Sequence, residues 1–152
     1  TLSLHDALPI WLHHLAACAS GTPTTSVQIG LDAAVELKPI ALEEAKMHLH
    51  QLCQLYTQAW AQPLPVAAKT ACTYAMAVQA MHKDPLSKAK TAFEGAYQKR
   101  GEFEDAPSLQ RVFTNFSDVA NDMRAWSDRL YGPMRSAAHV MHLTAHTQEV
   151  DA

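Results

Sequence analysis

The chain has no CxxC pair, no glycine-rich phosphate loop, no surplus of positive charge and no apolar run near the ~20 residues that cross a bilayer. Each absence removes a class of function. Cys18, Cys53 and Cys72 leave an odd thiol, which suits a reducing cytoplasm better than a disulfide framework, and they read as small buried apolar residues. Twelve Lys and Arg stand against fifteen Asp and Glu, so the chain generates no overall basic field and any nucleic-acid contact must be local. Lys69–Thr70 is superficially like the end of a Walker A motif, but no glycines precede it, and neither a GxSxG elbow nor an HExxH helix occurs. Membrane insertion and ATP hydrolysis are therefore not expected of it. What is present is ample apolar material: 48% of 152 residues, enough for the core of one ordinary domain.

The first ten residues, TLSLHDALPI, lack both the basic n-region and the clean apolar run of a signal peptide. They match the in-frame translation of a widely used short-read sequencing adapter. Thr1–Ile10 is accordingly set apart as non-native, residues 11–145 are taken as the domain, and 146–152 as a polar, disordered tail. On this reading native sequence enters at Trp11, already inside an element, and the chain is a truncated piece of a longer one.

Trp11, Leu12, Leu15, Ala16 and Ala19 recur at helical spacing up to Gly21 and Pro23. TTSVQIG and LDAAVELKPI, with turn residues from Gly30 to Asp32, predict a β-hairpin. A long helix is expected from Ala41, with Leu42, Ala45, Leu49, Leu52, Tyr56 and Ala59 as its buried stripe, ending at QPLPV. A second helix runs from Val66 or Thr70 to His82. A third starts at Asp84 with Pro85 in its first turn and buries Leu86, Ala89, Phe93 and Tyr97. KRGEFEDAP predicts a surface loop, followed by a short helix over 108–113 and a longer one from Ser117 that Gly132 and Pro133 end. The sequence beyond Pro133 begins as helix and frays. The fold class is α+β, mostly helical, with one small β-hairpin.

WLHHLAACASG, the pattern from Leu52 through Tyr56 to PLP at 63–65, and DPLSKAKTAFEGAY resemble the C-terminal domain of the RecC family, the gamma subunits of exodeoxyribonuclease V. SLQRVF and DRLYGPM follow in the order expected near the end of such a subunit, and the likeness extends from about Trp11 to Met134. The resemblance implies the later part of a domain related to PD-(D/E)xK nucleases but without their catalytic residues. It implies a non-catalytic scaffold that guides DNA in the RecBCD helicase-nuclease, in double-strand-break repair and recombination. The implied partners are RecB-like and RecD-like subunits in a cytoplasmic heterotrimer, double-stranded DNA ends and unwound single strands. ATP and Mg2+ would be used by the other subunits, with no cofactor in this chain. Chi recognition would depend on sequence outside it.

A PD-(D/E)xK centre needs carboxylates from neighbouring strands to hold a divalent cation and a lysine to position water. Asp32, Glu36 and Lys38 offer an acid and then E-x-K on one strand, all on one face by period-two alternation. Asp32 and Glu36 would nevertheless lie about 13 Å apart at ~3.3 Å per residue, too far to share a metal. No proline precedes Asp32 and SVQIG supplies no acid, so the strand reads as an exposed edge with alternating charges, with no catalytic or metal role.

His139, His142 and His146, at i, i+3 and i+7, would share one helical face, and His48 with His50 forms a second histidine-rich spot, yet neither brings the converging ligands of a zinc site. Lys83, Lys88, Lys90, Lys99 and Arg100 form a local basic excess able to meet DNA phosphates without reading sequence. Trp60, Trp126, Phe93, Phe113, Phe116 and Tyr97 read as core, not as base-stacking platforms. Two readings compete with the scaffold: an active metal-dependent nuclease using Asp32, Glu36 and Lys38, and a helical protein-interaction module unrelated to DNA.

Overall fold

A computed structural model describes residues 8–31 and 33–142. These fall into two compact units, one within residues 1–49 and 134–152, the other within 50–133.

In the first unit, helix α1 (Leu8–Ala19) buries Trp11, His14, Leu15 and Cys18, spaced three or four apart as one helical face requires. Pro9 does not interrupt it, because Pro9 is its second residue, where the missing N–H has no intrahelical acceptor to lose. Gly21 closes the helix at φ 88°, with Gly21 N donating to Cys18 O at 3.1 Å and Thr22 N to Ala17 O at 3.2 Å, the paired bonds of a Schellman end.

Strands β1 (Ser26–Ile29) and β2 (Ala33–Leu37) form the expected antiparallel hairpin. The sheet is larger than that hairpin, however. Strand β5 (Ala138–His142) pairs antiparallel with β2, giving the order β1-β2-β5. β2 is therefore a central strand, and Ala33, Ala34, Val35 and Leu37 are all buried. The expected exposed edge is overturned: AAVEL presents small and branched side chains to both faces, as a strand hydrogen-bonded on both sides can. The predicted helical face of His139 and His142 is overturned as well, since both lie on β5. His146, the tail 146–152, Thr1–Ala7 and Asp32 lie outside the described residues.

Helix α2 (Leu42–Ala61) contributes its first turns to this unit and the remainder to the second. Its covered positions are Ala45 and Leu55, with His48, Leu49 and Leu52 partly covered, whereas Leu42, Tyr56 and Ala59 of the expected stripe are exposed. The true stripe is rotated by about a residue from the one the apolar letters suggested.

In the second unit, α3 (Ala68–Gln79) presents Thr70, Ala71, Cys72, Ala75 and Ala77 as a face of small residues, which lets α4 (Pro85–Glu94) approach closely with Ala89 and Phe93. Asp84 caps α4 by accepting from Ser87 N at 3.0 Å, with Pro85 at the first helical position, as expected. Phe93 packs on Phe103 and Phe116, with ring centroids 5.1 and 5.8 Å apart.

KRGEFEDAP is not a loop. It forms β4 (Lys99–Arg100), which pairs with β3 (Gly95–Ala96), and then α5 (Glu102–Asp105). Short helices α6 (Pro107–Val112) and α7 (Ser117–Ala120) lead into α8 (Met123–Ala137). α8 continues through Gly132 and Pro133, which do not terminate it. Ser127 and Tyr131 on α8 donate to Ala71 O and Ala68 O of α3, both at 2.9 Å, a polar attachment within a buried interface. Burial pushes the Tyr131 phenol pKa upward, with Cys72 and Glu102 adding to the shift.

Three further placements differ from expectation. Tyr97 is 92% exposed and Trp60 76% exposed, while Phe93, Phe113, Phe116 and Trp126 are buried as expected. Cys18 and Cys72 are buried but Cys53 is exposed. Among the described residues no helix is long and apolar enough to cross a membrane.

Candidate functional site

The acidic strand is the first place to look for chemistry. Glu36 lies on β2, partly buried, in register with Val27 on one side and His139 on the other. Lys38 follows the strand and is exposed. Its backbone carbonyl accepts from His14 Nε2 at 3.0 Å, so its main chain serves to anchor α1. Asp32 lies outside the described residues, and among those described no three His, Cys, Asp or Glu side chains gather as a metal site would require.

His14 is the polar group at the centre of the first unit, 1% exposed. A carbonyl can only accept, so Nε2 carries the hydrogen toward Lys38 O, and Nδ1 accepts from Ser26 Oγ at 3.0 Å. Trp11 stacks on the ring at 5.9 Å and Cys18 Sγ lies 3.8 Å from Nε2. Burial lowers the His14 pKa below 6.5, against a smaller opposing effect from the bond to Lys38 O. A neutral imidazole thus ties α1 to both ends of the hairpin.

The basic residues cluster differently from a uniform patch. Lys90 faces Glu94 at 3.8 Å along α4, and Arg100 Nε meets Glu104 at 2.9 Å and Asp105 at 3.8 Å. Asp84 and Glu102 are turned onto the N-termini of α4 and α3. Lys83, Lys88 and Lys99 are exposed, and none is within ion-pair distance of a carboxylate among the described residues. The available positive charge therefore narrows from five residues to three.

The short β3-β4 ladder holds Lys99 and Arg100 in place. Gly95 stands at φ 90°, and a Cβ there would meet Lys99 O at 2.5 Å; a Cβ on Gly101 would meet Gly95 N at 2.3 Å. Only glycine at both positions lets the two strands close this tightly. Gly95 also ends α4, which turns Tyr97 out of the helical register that would have buried it. That signal was legible, since a glycine after the last apolar position commonly marks a helix end.

The second unit also carries a 430 Å³ groove lined by Gln51, Gln54, Leu55 and Gln58 of α2 with Asp128, Arg129 and Pro133 of α8. The three glutamines at i, i+3 and i+7 share one helix face. Arg129 is drawn over the Trp126 ring, 5.2 Å from its centroid. The glutamine row carries no charge and matches no motif that marks it in the sequence.

The family model of the RecC C-terminal domain matches residues 1–79, a span that includes α1, the hairpin, α2 and α3. The chain belongs to the RecC C-terminal domain family. The RecBCD enzyme subunit RecC of Escherichia coli (strain K12) is 33% identical to it over 116 residues, covering 68% of the chain. That stretch is 10% of the bacterial subunit, so the chain spans about a tenth of the length of this relative.

Proposed function

We propose that this RecC-family domain is a non-catalytic scaffold and DNA-guiding element of a RecC-like subunit in a RecBCD-type helicase-exonuclease, acting in double-strand-break repair and recombination. Its partners would be RecB-like and RecD-like subunits in a cytoplasmic heterotrimer, together with duplex DNA ends and unwound strands. Its ancestry would be a PD-(D/E)xK nuclease-like domain whose catalytic residues are gone. ATP and Mg2+ would serve the other subunits and not this chain. The reading rests above all on the family match. It is supported by Glu36 standing on a central strand between Val27 and His139, which leaves a metal no second acid from the neighbouring strands.

Two experiments test it. The RecC-like chain carrying this domain should co-purify with RecB-like and RecD-like subunits; failure to do so would leave a helical module unrelated to DNA. In the assembled complex, Glu36→Ala should leave magnesium- or manganese-dependent cleavage unchanged. Loss of cutting in that variant, with assembly intact, would mean an active centre that includes Glu36.

A further inference from the structure

We infer that the β3-β4 turn carrying Tyr97 is a stacking site for an unpaired nucleobase, with Lys88 and Lys99 meeting the flanking phosphates; this rests on the DNA-guiding reading. Tyr97 is a large aromatic with 92% of its surface in water, where its ring gains nothing from burial. The backbone beneath it is closely constrained. Gln98 is held at φ 58°, Gly95 at φ 90°, and Gly101 is pressed against Gly95 N. A non-glycine residue in the left-handed region costs free energy, and such strain is retained where the surroundings over-determine it. Here the constraint yields a rigid two-residue tip that presents one tyrosine.

Around the tip Lys88, Lys90, Lys99 and Arg100 equal Glu94, Glu102, Glu104 and Asp105 in number, and a phosphate would meet the two lysines that stand outside ion pairs. The nearby acids Glu94, Glu104 and Asp105 are already engaged by Lys90 and Arg100. Lys99 immediately follows the tip, opposite Ala96, and Lys88 lies on α4 about two helical turns before Gly95. Both are exposed with no carboxylate in ion-pair range among the described residues. An aromatic face flanked by uncompensated lysines is how single strands are held without regard to sequence, because every base has a π-face and every nucleotide a phosphate.

The test uses the full chain and a fluorescein-labelled oligothymidylate of about twenty nucleotides, read by anisotropy over a series of salt concentrations. Tyr97→Ala should weaken binding by about 5- to 100-fold, and Tyr97→Phe should bind like the wild type, since the ring and not the hydroxyl stacks. Lys99→Ala should flatten the salt dependence by about 0.7 in log K per log salt. Because Tyr97 is exposed, these variants should keep the wild-type circular dichroism. If the wild type binds and Tyr97→Ala binds equally well, the stacking site is wrong while the DNA-guiding reading stands. If Tyr97→Phe is as weak as Tyr97→Ala, stacking is also wrong. If the wild type does not bind the oligonucleotide at all, both readings fall.

Discussion

Glu102 caps a helix that begins 34 residues before it: its Oε2 accepts from Thr70 N at 2.7 Å and from Thr70 Oγ1 at 2.8 Å, while Oε1 accepts from Lys69 N at 3.0 Å. α3 needs this because Ala67 at its N-cap has no side-chain acceptor. A carboxylate there satisfies two orphan N–H groups and complements the positive end of the helix dipole. Thr70 is fully buried, so removing its partner leaves polar atoms unpaired without water to replace it. Glu102→Ala should cost about 1–3 kcal/mol of stability in urea unfolding, and Glu102→Gln less, because the amide oxygen still accepts. An equal loss in both variants would point to charge, not hydrogen bonding, as the contribution that matters.

The two Schellman helix ends give a paired prediction. After α3, Met81 N donates to Val78 O at 3.0 Å and His82 N to Ala77 O at 2.9 Å, the same pattern that follows α1, but here Met81 and not glycine stands at φ 52°. Met81 is 90% exposed, so its side chain contributes almost no packing in return. Relief of the left-handed strain, about 1–2 kcal/mol, outweighs the extra unfolded-state freedom of glycine. Met81→Gly should therefore stabilise by roughly 0.5–1 kcal/mol, and Gly21→Ala should destabilise by a similar amount. Thermal midpoints of the two variants measure both signs.

Glycines 101 and 132 should respond unequally to one substitution. A Cβ on Gly101 would stand 2.2 Å from Phe93 O and 2.3 Å from Gly95 N, both backbone atoms that cannot swing aside. A Cβ on Gly132 meets nothing within 4 Å beyond its chain neighbours, and Gly132 sits inside α8 immediately before Pro133. Gly101→Ala should destabilise by about 2 kcal/mol or more, as overpacking does. Gly132→Ala should change stability by no more than ~1 kcal/mol, because the gain in helix propensity is offset by crowding of the new Cβ against the Pro133 ring. Circular dichroism melts of the two variants decide it.

The same glycines show how far the sequence could be read. Helix α1, the β1-β2 hairpin, the Asp84 cap with Pro85, and the burial of Phe93 and Trp126 follow from local chemistry, and all are present. What local chemistry missed was decided at a distance. β5 pairs with β2 across about a hundred residues, and its histidines happen to carry a helical spacing. EFED reads as a polar loop until Glu102 is seen to belong to the start of α3. Gly132 and Pro133 normally end a helix, but α8 is held on α3 by Ser127 and Tyr131 just upstream. At the candidate site, the local excess of five basic residues in the sequence was legible. Which of them are neutralised was not, because that depends on Arg100 turning toward α5.

His14 is buried and neutral, and burial holds its folded pKa below its ordinary value of 6.5. Between those two values the unfolded chain binds a proton that the folded chain does not, so stability rises with pH there. The contribution is present in full above about pH 6.5 and is lost progressively as pH falls from 6.5 toward the folded value. Below the folded pKa it changes no further. His14→Gln removes this dependence, although it also costs about 1–3 kcal/mol at neutral pH because one glutamine cannot serve both Ser26 and Lys38 O in the same geometry. Urea unfolding of wild type and variant should therefore converge as the solution is acidified. A constant difference across that window would show that His14 is not the group through which acid loosens α1 from the hairpin.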